Sequence, residues 1–141
     1  MDLSDGFRID EPPVMVPWSV SENELGHLFG PVLRHVTAKY WTARVRVLGG
    51  LECNLGFHFR GNRGQLSELE FFRDSYDDQA ESFTGFQRHF EAAFGAPTET
   101  QPGTEGFPSY RWLVPGAEII HLIVDRFGPE EHMRIRRSGA A

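Results

Sequence analysis

Carboxylates provide the first candidate functional surface of this chain. Asp74, Asp77, Asp78 and Glu81 cluster at the start of a predicted helix. One interpretation is an acidic patch that docks a basic partner, because complementary charge raises the rate of encounter. The other interpretation is structural, since Asp78 and Glu81 have capping-box spacing and carboxylates suit the positive end of a helix. Capping leaves Asp74 and Asp77 unexplained, so we predict a partner-binding surface at all four residues.

Histidine and cysteine residues show no catalytic spacing. None of the 6 His residues is paired with a Glu or another His at the i, i+4 spacing of zinc hydrolases. A metal site needs three or four converging ligands, so we expect no metal and no cofactor. Cys53 falls between Leu51 and Leu55 on a predicted inward face, where a thiol has a raised pKa and is a poor nucleophile.

Nucleotide-binding and hydrolase motifs are missing from the sequence. No G-x-S-x-G, P-loop or G-x-G-x-x-G pattern occurs, and the glycine-rich residues 61–64 join two predicted strands. A phosphate site needs the exposed amides of a helix start, which this segment does not open. We therefore predict a turn at residues 61–64, no catalytic residues, and a protein that is not an enzyme.

A helix is predicted over residues 79–94. Phe83, Phe86, Phe90 and Phe94 fall on one face at helical spacing, and Gly95 ends the pattern. We expect these rings to pack on the inward face of a strand that carries Leu51, Leu55, Phe57 and Phe59.

A shorter helix is predicted over residues 21–29. Ser21 and Glu24 have capping-box spacing, and Leu25 and Phe29 lie on its apolar face. The Gly30-Pro31 pair either ends this helix or allows it to restart through Val36, and the sequence leaves both alternatives open.

Period-two alternation predicts six strands. They cover residues 43–48, the segment from 51 to 60, a segment around Leu69 and Phe71, and residues 110–114, 118–125 and 132–136. On the second of these, Glu52, Asn54 and His58 alternate with the apolar residues. We predict that these three polar residues lie on an open sheet face and form a second partner-binding surface.

The order of elements predicts an α+β fold built as a tandem pair. Each predicted helix precedes three strands, giving internal halves at about 18–73 and 77–137. Pairing two such helix-then-three-strand units forms an antiparallel sheet with helices packed on one face. We expect a single domain over 1–141, with residues 1–12 and 138–141 loosely packed.

The second half resembles a family of small bacterial modules. Phe94, Gly95 and Pro97 end a helix, Trp112 lies in a strand, and Asp125–Gly128 ends the next strand. This pattern over residues 79–137 resembles modules of the outer-membrane assembly lipoprotein and β-lactamase-inhibitor-protein type. The resemblance implies a protein-binding scaffold.

Composition narrows the class of partner. The chain of 141 residues has 14 basic and 20 acidic residues and a net charge of −6, which disfavours nucleic acid. No apolar run reaches the ~20 residues of a membrane span, and no secretory signal pattern begins the sequence. With 1 Cys, we expect a cytoplasmic protein whose partner is another protein with a basic surface.

Two functions remain after this elimination. The first is a non-enzymatic protein-binding module, in its most concrete form an immunity-type inhibitor that neutralises a bacterial toxin by occluding its active site. The alternative is a small-ligand-binding protein or enzyme with a pocket between sheet and helices, using His58, His121 and nearby carboxylates. Exposed aromatic and acidic residues on one surface favour the first, and a deep polar pocket favours the second.

Overall fold

The computed structural model describes residues 2–61 and 64–138, which form ten β-strands and two α-helices. The elements in chain order are β1 Gly6–Ile9, β2 Val14–Pro17, α1 Glu22–Phe29, β3 Leu33–Thr37, β4 Tyr40–Val47, β5 Leu51–Arg60, β6 Gln65–Phe72, α2 Gln79–Phe94, β7 Glu99–Gln101, β8 Ser109–Val114, β9 Ala117–Asp125 and β10 Pro129–Arg137. Short 3₁₀ turns follow α1 and β7. The predicted turn at 61–64 lies partly outside the described residues, as do residues 139–141.

Eight strands form one antiparallel sheet in the order β3-β4-β5-β6-β10-β9-β8-β7. Each half of the chain contributes four consecutive strands, and the halves meet where β6 pairs with β10. The strands β1 and β2 form a separate hairpin, which a bridge between Glu11 and Arg46 joins to β4. Among the described residues, no helix is long and apolar enough to cross a membrane.

The core lies on one face of this sheet, called here the inward face. Phe57 of β5 packs against Phe29 of α1, with ring centroids 5.2 Å apart. Phe71 of β6 contacts Phe7 of β1 at 5.8 Å and Phe90 of α2 at 5.5 Å. The inward face is therefore covered jointly by two helices and the β1–β2 hairpin.

The predicted tandem of helix-then-three-strand units covered by helices alone is wrong. The chain is 50% strand and 22% helix, each helix is followed by four strands, and a hairpin precedes the first helix. The missed strands β3 and β7 are the two edges of the large sheet. Their residues are exposed apart from a half-buried Leu33, so burial imposes no alternating pattern on them.

The expectation that residues 1–12 pack loosely is also wrong. Leu3, Phe7 and Ile9 are each buried in the core. The segment has one short strand of four residues, β1, and its apolar residues are separated by polar ones, which gives a weak sequence signal.

Both predicted helices begin and end as their signals indicate. In α1, the Ser21 hydroxyl accepts from Glu24 N and the Glu24 carboxylate accepts from Ser21 N. A 3₁₀ turn over Gly30–Val32 then leads into β3, so the helix ends at the Gly-Pro pair. In α2, the Asp78 carboxylate accepts from Glu81 N at 3.0 Å.

The phenylalanine stripe of α2 is buried as predicted, but its assigned aromatic partner was wrong. Phe90 contacts Trp112 of β8 at 5.7 Å in addition to Phe71, and Phe83 stacks on His121 of β9 at 4.0 Å. Phe57 instead pairs with α1. The helix therefore lies over strands from both halves of the sheet.

Candidate functional site

The opposite side of the large sheet, called here the open face, faces solvent. Strand register places Tyr40, Asn54 and His58 of the first half on this face. The same register places Glu70, Arg134 and Ile120 on neighbouring strands of the open face. These outward side chains are exposed or half-buried.

Strand β9 is apolar on both of its faces. Its inward residues Ile119 and Ile123 are buried, whereas its outward residues Ile120, Leu122 and Val124 are only half-buried. Strands with apolar residues on both faces are typical of sheets covered on both sides. Leu113 of β8, on the same open face, is 51% exposed. The open face therefore has an apolar row that the described residues leave partly uncovered.

A chain of ion pairs crosses the open face from β8 to β5. Glu68 accepts from Arg134 and Arg136 at 2.7 Å each, and Glu70 accepts from Arg134 at 3.3 Å. The remaining links are Arg111–Glu118 at 2.6 Å, Arg136–Glu118 at 3.8 Å and His58–Glu70 at 2.9 Å. Several of these side chains are largely buried, with the Glu68 side chain only 6% exposed. The charges of this network are thus held in place by contacts within the chain.

Hydrogen bonds keep the two central carboxylates ionised. The hydrogen bond from His58 lowers the pKa of Glu70, helped by the charge of Arg134 and opposed by burial. Burial opposes ionisation of Glu68, but hydrogen bonds and charges from Arg136 and Arg134 outweigh it and lower the pKa of that carboxyl.

Tyr40 connects the network to the edge of the sheet. Its ring stacks on His58 with centroids 4.4 Å apart, and its hydroxyl donates to Glu70 at 3.5 Å. A Cβ at Gly56 would lie 2.8 Å from the Tyr40 ring, so only glycine allows this close approach. Burial, followed by the charge of Glu70, raises the pKa of Tyr40 to about 12. The tyrosine therefore remains a neutral donor at ordinary pH.

A cleft of about 330 Å³ opens where β6 ends and β10 begins. The β6–β10 pairing extends only from Met133 to Arg136, whereas β10 pairs with β9 from Pro129 onward. The residues that line this gap, called here the cleft, include Tyr40, Glu70, Phe72, Tyr76, Glu130 and His132.

His132 brings an unpaired polar atom to the cleft. Within the described residues, its buried Nε2 has no hydrogen-bond partner, and a Glu130 oxygen lies 3.8 Å away. Burial, followed by the charge of Arg134, lowers the pKa of His132. The ring is therefore neutral near pH 7.

On the inward side, Glu131 and His121 form a buried polar network. His121 Nε2 lies 2.6 Å from one Glu131 oxygen, and the other oxygen accepts from Ser82 at 2.7 Å and Gln79 at 3.1 Å. His121 Nδ1 contacts the Gln87 side-chain oxygen at 2.8 Å. Both the His121 and Glu131 side chains are 0% exposed. Burial lowers the pKa of His121, opposed by the hydrogen bond and charge of Glu131. This network joins α2 to β9 and β10 of the sheet.

The predicted acidic patch is divided by the fold. Asp74 accepts from Arg44 at 2.7 Å and from Asn54 at 2.8 Å, so it joins the open face. The hydrogen bond from Asn54 lowers the pKa of Asp74, with Arg44 adding to the effect. Of the second predicted surface, Glu52 pairs with Arg46 at 2.5 Å, and His58 pairs with Glu70.

Asp77, Asp78 and Glu81 line a depression of about 280 Å³ that Tyr76 also lines. Asp78 caps α2, and Asp77 accepts from the Ser75 hydroxyl at 3.3 Å. Among the ion pairs formed by the described residues, none includes these three carboxylates. Their role in partner binding remains a prediction.

Sequence reasoning missed several residues of these networks. The strand predicted over 132–136 stops one residue short of Glu131, which lies in β10 and alternates with the buried Met133 and Ile135. Extending the predicted strand by that residue places the Glu131 side chain inward. For Tyr40 and Glu70, which meet across three strands, the sequence contains no local signal.

The pocket that the ligand-binding alternative needs is not formed by the two histidines proposed for it. His121 is buried on the inward face, whereas His58 is half-buried on the open face. Burial raises the pKa of Cys53 to about 12, as expected for a core thiol. Within residues 2–61 and 64–138, no group of three or more His, Cys, Asp or Glu side chains could hold a metal ion.

Comparisons with protein-family models, curated proteins and solved structures find no match to this chain. The resemblance to the small bacterial modules therefore remains a prediction.

Proposed function

We propose that this protein is a non-enzymatic protein-binding module that docks a partner on its open face. The observation that carries the proposal is the outward row Ile120, Leu122 and Val124 on a strand that is apolar on both faces. Such a strand is suited to a sheet with cover on both sides. A partner protein would supply the second cover.

Further apolar residues extend this row. Leu113 lies on the neighbouring strand, and Phe127 at the tip of the β9–β10 turn is fully exposed. Exposed aromatic and aliphatic side chains near one another are typical of interface anchors. Together these residues provide an apolar centre with charged surroundings, the usual anatomy of a protein interface.

The ion-pair network supports the same proposal energetically. Arg134, Glu68 and Glu70 are already held by mutual contacts. Side chains ordered before association lose less conformational entropy when a partner binds. The open face is therefore a preorganised surface.

In its most concrete form, we propose an immunity-type inhibitor that neutralises a bacterial toxin by occluding its active site. The net charge of −6 and the uncompensated Asp77, Asp78 and Glu81 favour a partner with a basic surface. A cytoplasmic location agrees with a single, buried cysteine.

The layer between α2 and the sheet favours this function over the ligand-binding alternative. Phe86, Phe90 and Trp112 fill that layer and are at most 1% exposed. A pocket beneath α2 would require these core rings to move, at a cost comparable to other core disruptions. A cavity of about 350 Å³ lies instead at the α1 end, between Phe29 and Val45, and it contains neither His58 nor His121.

Site-specific photo-crosslinking in the native cells tests the proposal. A photoreactive residue at Leu113 probes the open face, and one at Thr84, exposed on the outer side of α2, is the matched control. We expect one dominant protein adduct from position 113 and none from position 84. Equal adducts from both positions, or none from position 113, would contradict docking on the open face.

The inhibitor form has a separate readout. Once the adduct identifies the partner, expression of that partner alone should arrest growth, and co-expression of this protein should restore it. A partner that is harmless by itself would eliminate the immunity interpretation while leaving the binding function in place.

A further inference from the structure

We propose that the cleft between β6 and β10 seats one cationic side chain, an arginine, of the partner that docks on the open face. This inference rests on the proposed function and specifies the chemistry of its partner. It is carried by the aromatic walls of the cleft and by its carboxylates.

Aromatic rings form much of the cleft wall. Tyr40, Phe72 and Tyr76 all line it. Aromatic faces attract cations, and a planar guanidinium stacks on them more readily than an ammonium does. The apolar part of an arginine stem also packs on such rings. The wall therefore suits a long cationic side chain better than an anion.

Carboxylates supply the opposite charge. Glu70 and Glu130 line the cleft, and the Glu130 side chain is 43% exposed. Its one arginine partner within the described residues is Arg126, at 3.2 Å on the exposed β9–β10 turn. Surface pairs of this kind contribute little to stability, so an incoming cation can replace Arg126.

One arginine of the chain, Arg73, lines the cleft, but its guanidinium is engaged inside the molecule. It donates to Ser82 at 2.9 Å and lies 4.5 Å from the centre of the Phe86 ring. The neighbouring Arg134 donates to Glu68 and Glu70. Glu130, whose partner Arg126 is 64% exposed, is thus the carboxylate that an external cation would engage.

His132 contributes an uncharged ring to the cleft. Its Nδ1 accepts from Arg134 Nη2 at 3.5 Å, so the neutral ring carries its proton on Nε2, which is buried and unpaired in the part of the chain that the structure describes. The ring therefore offers an incoming guanidinium no acceptor, but it adds no positive charge to the cleft. The volume of about 330 Å³ is near the lower limit of small-molecule sites, which fits one side chain rather than a folded segment.

Titration with a single capped residue tests this seat directly. The probe is N-acetyl-arginine amide, and the control is N-acetyl-citrulline amide, which has the same shape without the charge. Binding is followed by amide chemical shifts in ¹H–¹⁵N spectra of the whole chain. We expect shifts confined to residues around Phe72 and Glu130, with a dissociation constant on the order of millimolar and at least ~10-fold weaker binding of citrulline.

Two variants give the charge dependence. Glu130→Gln should weaken binding of the arginine probe by ~3–10-fold. Glu91→Gln, which removes an exposed carboxylate of α2 away from the open face, should leave it unchanged. Equal affinity for both probes, shifts outside the cleft, or no effect of Glu130→Gln would overturn the proposal.

The result of the arginine titration does not depend on the result of the crosslinking experiment. If a partner adduct forms at position 113 while the arginine probe does not bind, the open face is an interface without an arginine seat. If the probe binds but no adduct forms, the docking function fails and the cleft is a cation site of another kind.

Discussion

Glu131 is a carboxylate held inside the molecule by donors from two elements. Its oxygens contact His121 on β9 and accept from Ser82 and Gln79 on α2. Replacing Glu131 with Ala would leave these buried groups unpaired, which costs about 2–4 kcal/mol. We expect the free energy of unfolding, measured by urea denaturation, to fall by that amount.

Glu130 is the matched control for this substitution. It precedes Glu131 in the same strand, but its side chain is 43% exposed and pairs with an exposed arginine. Glu130→Ala should therefore change the free energy of unfolding by less than about 0.5 kcal/mol. Similar losses for the two variants would show that the Glu131 network does not stabilise the fold.

His121 makes stability depend on pH in one direction. Burial lowers its pKa in the folded state, so the unfolded chain binds a proton more readily. The stabilisation by neutral His121 is present above the unfolded pKa of about 6.5 and is lost as pH falls below that value. Urea midpoints measured between about pH 8 and pH 5 should therefore decrease towards acid.

The His121→Gln variant should show a smaller decrease over the same pH range, because the titrating group is gone. His132, whose pKa is also lowered, preserves part of the slope in that variant. His27→Gln is the control, since His27 is exposed on α1. A slope that is equal in the His121 variant and the unsubstituted protein would contradict this assignment.

For single residues, the sequence predicts those whose role depends on neighbours along the chain. Cys53 is buried with a raised pKa, as its apolar neighbours indicate. Asp78 caps the helix that its spacing predicts. Asp74 was unexplained from sequence because its partner Arg44 is on β4, distant along the chain. Long-range pairs of this kind depend on strand register, which a single sequence does not specify.

Among the elements, α2 has the clearest local determinants. Asp78 accepts from Glu81 N and satisfies one of the free amides at the helix start. Asp78→Ala should lower the free energy of unfolding by ~0.5–2 kcal/mol. The neighbouring Asp77, whose carboxylate contacts Ser75, is the matched control and should change stability little when replaced by Ala.

Thermal or urea denaturation of the two variants measures the difference. If Asp77→Ala destabilises as much as Asp78→Ala, the cap is not the main role of Asp78. The acidic cluster would then contribute to stability through its total charge at the helix end.

Elements with a buried stripe were predictable, and edge elements were not. The α2 stripe of Phe83, Phe86, Phe90 and Phe94 defined the helix from Gln79 to Phe94. The edge strands β3 and β7 have mostly exposed side chains, so no buried stripe marks them. The pairing of β6 with β10 joins residues more than 60 positions apart, and alternation within each strand does not identify its neighbour.

For the whole molecule, two surfaces differ in how their carboxylates are paired: those of the open face pair with arginines, and those around the start of α2 form no ion pair among the described residues. Carboxylates on the open face pair with arginines of that face, as Glu68 does with Arg136. The uncompensated acids Asp77, Asp78 and Glu81 lie beyond Tyr76. Apolar contact on the open face would therefore provide affinity, and the acidic rim would guide a basic partner towards it.

Leu122 tests whether the open face is the interface. Its side chain lies outward on β9 between Ile120 and Val124 and is half-buried. Leu122→Lys keeps a long apolar stem but adds a charge at the centre of the proposed interface, where a desolvated charge without a partner is unfavourable. Partner affinity should fall at least ~10-fold, measured by biolayer interferometry with the free partner protein that crosslinking identifies.

Thr84→Lys on the outer side of α2 should leave affinity unchanged, and thermal denaturation of both variants would establish that the fold is retained. Unchanged affinity in a folded Leu122→Lys variant would show that the partner docks elsewhere, because no apolar strand face tolerates a buried lysine without cost.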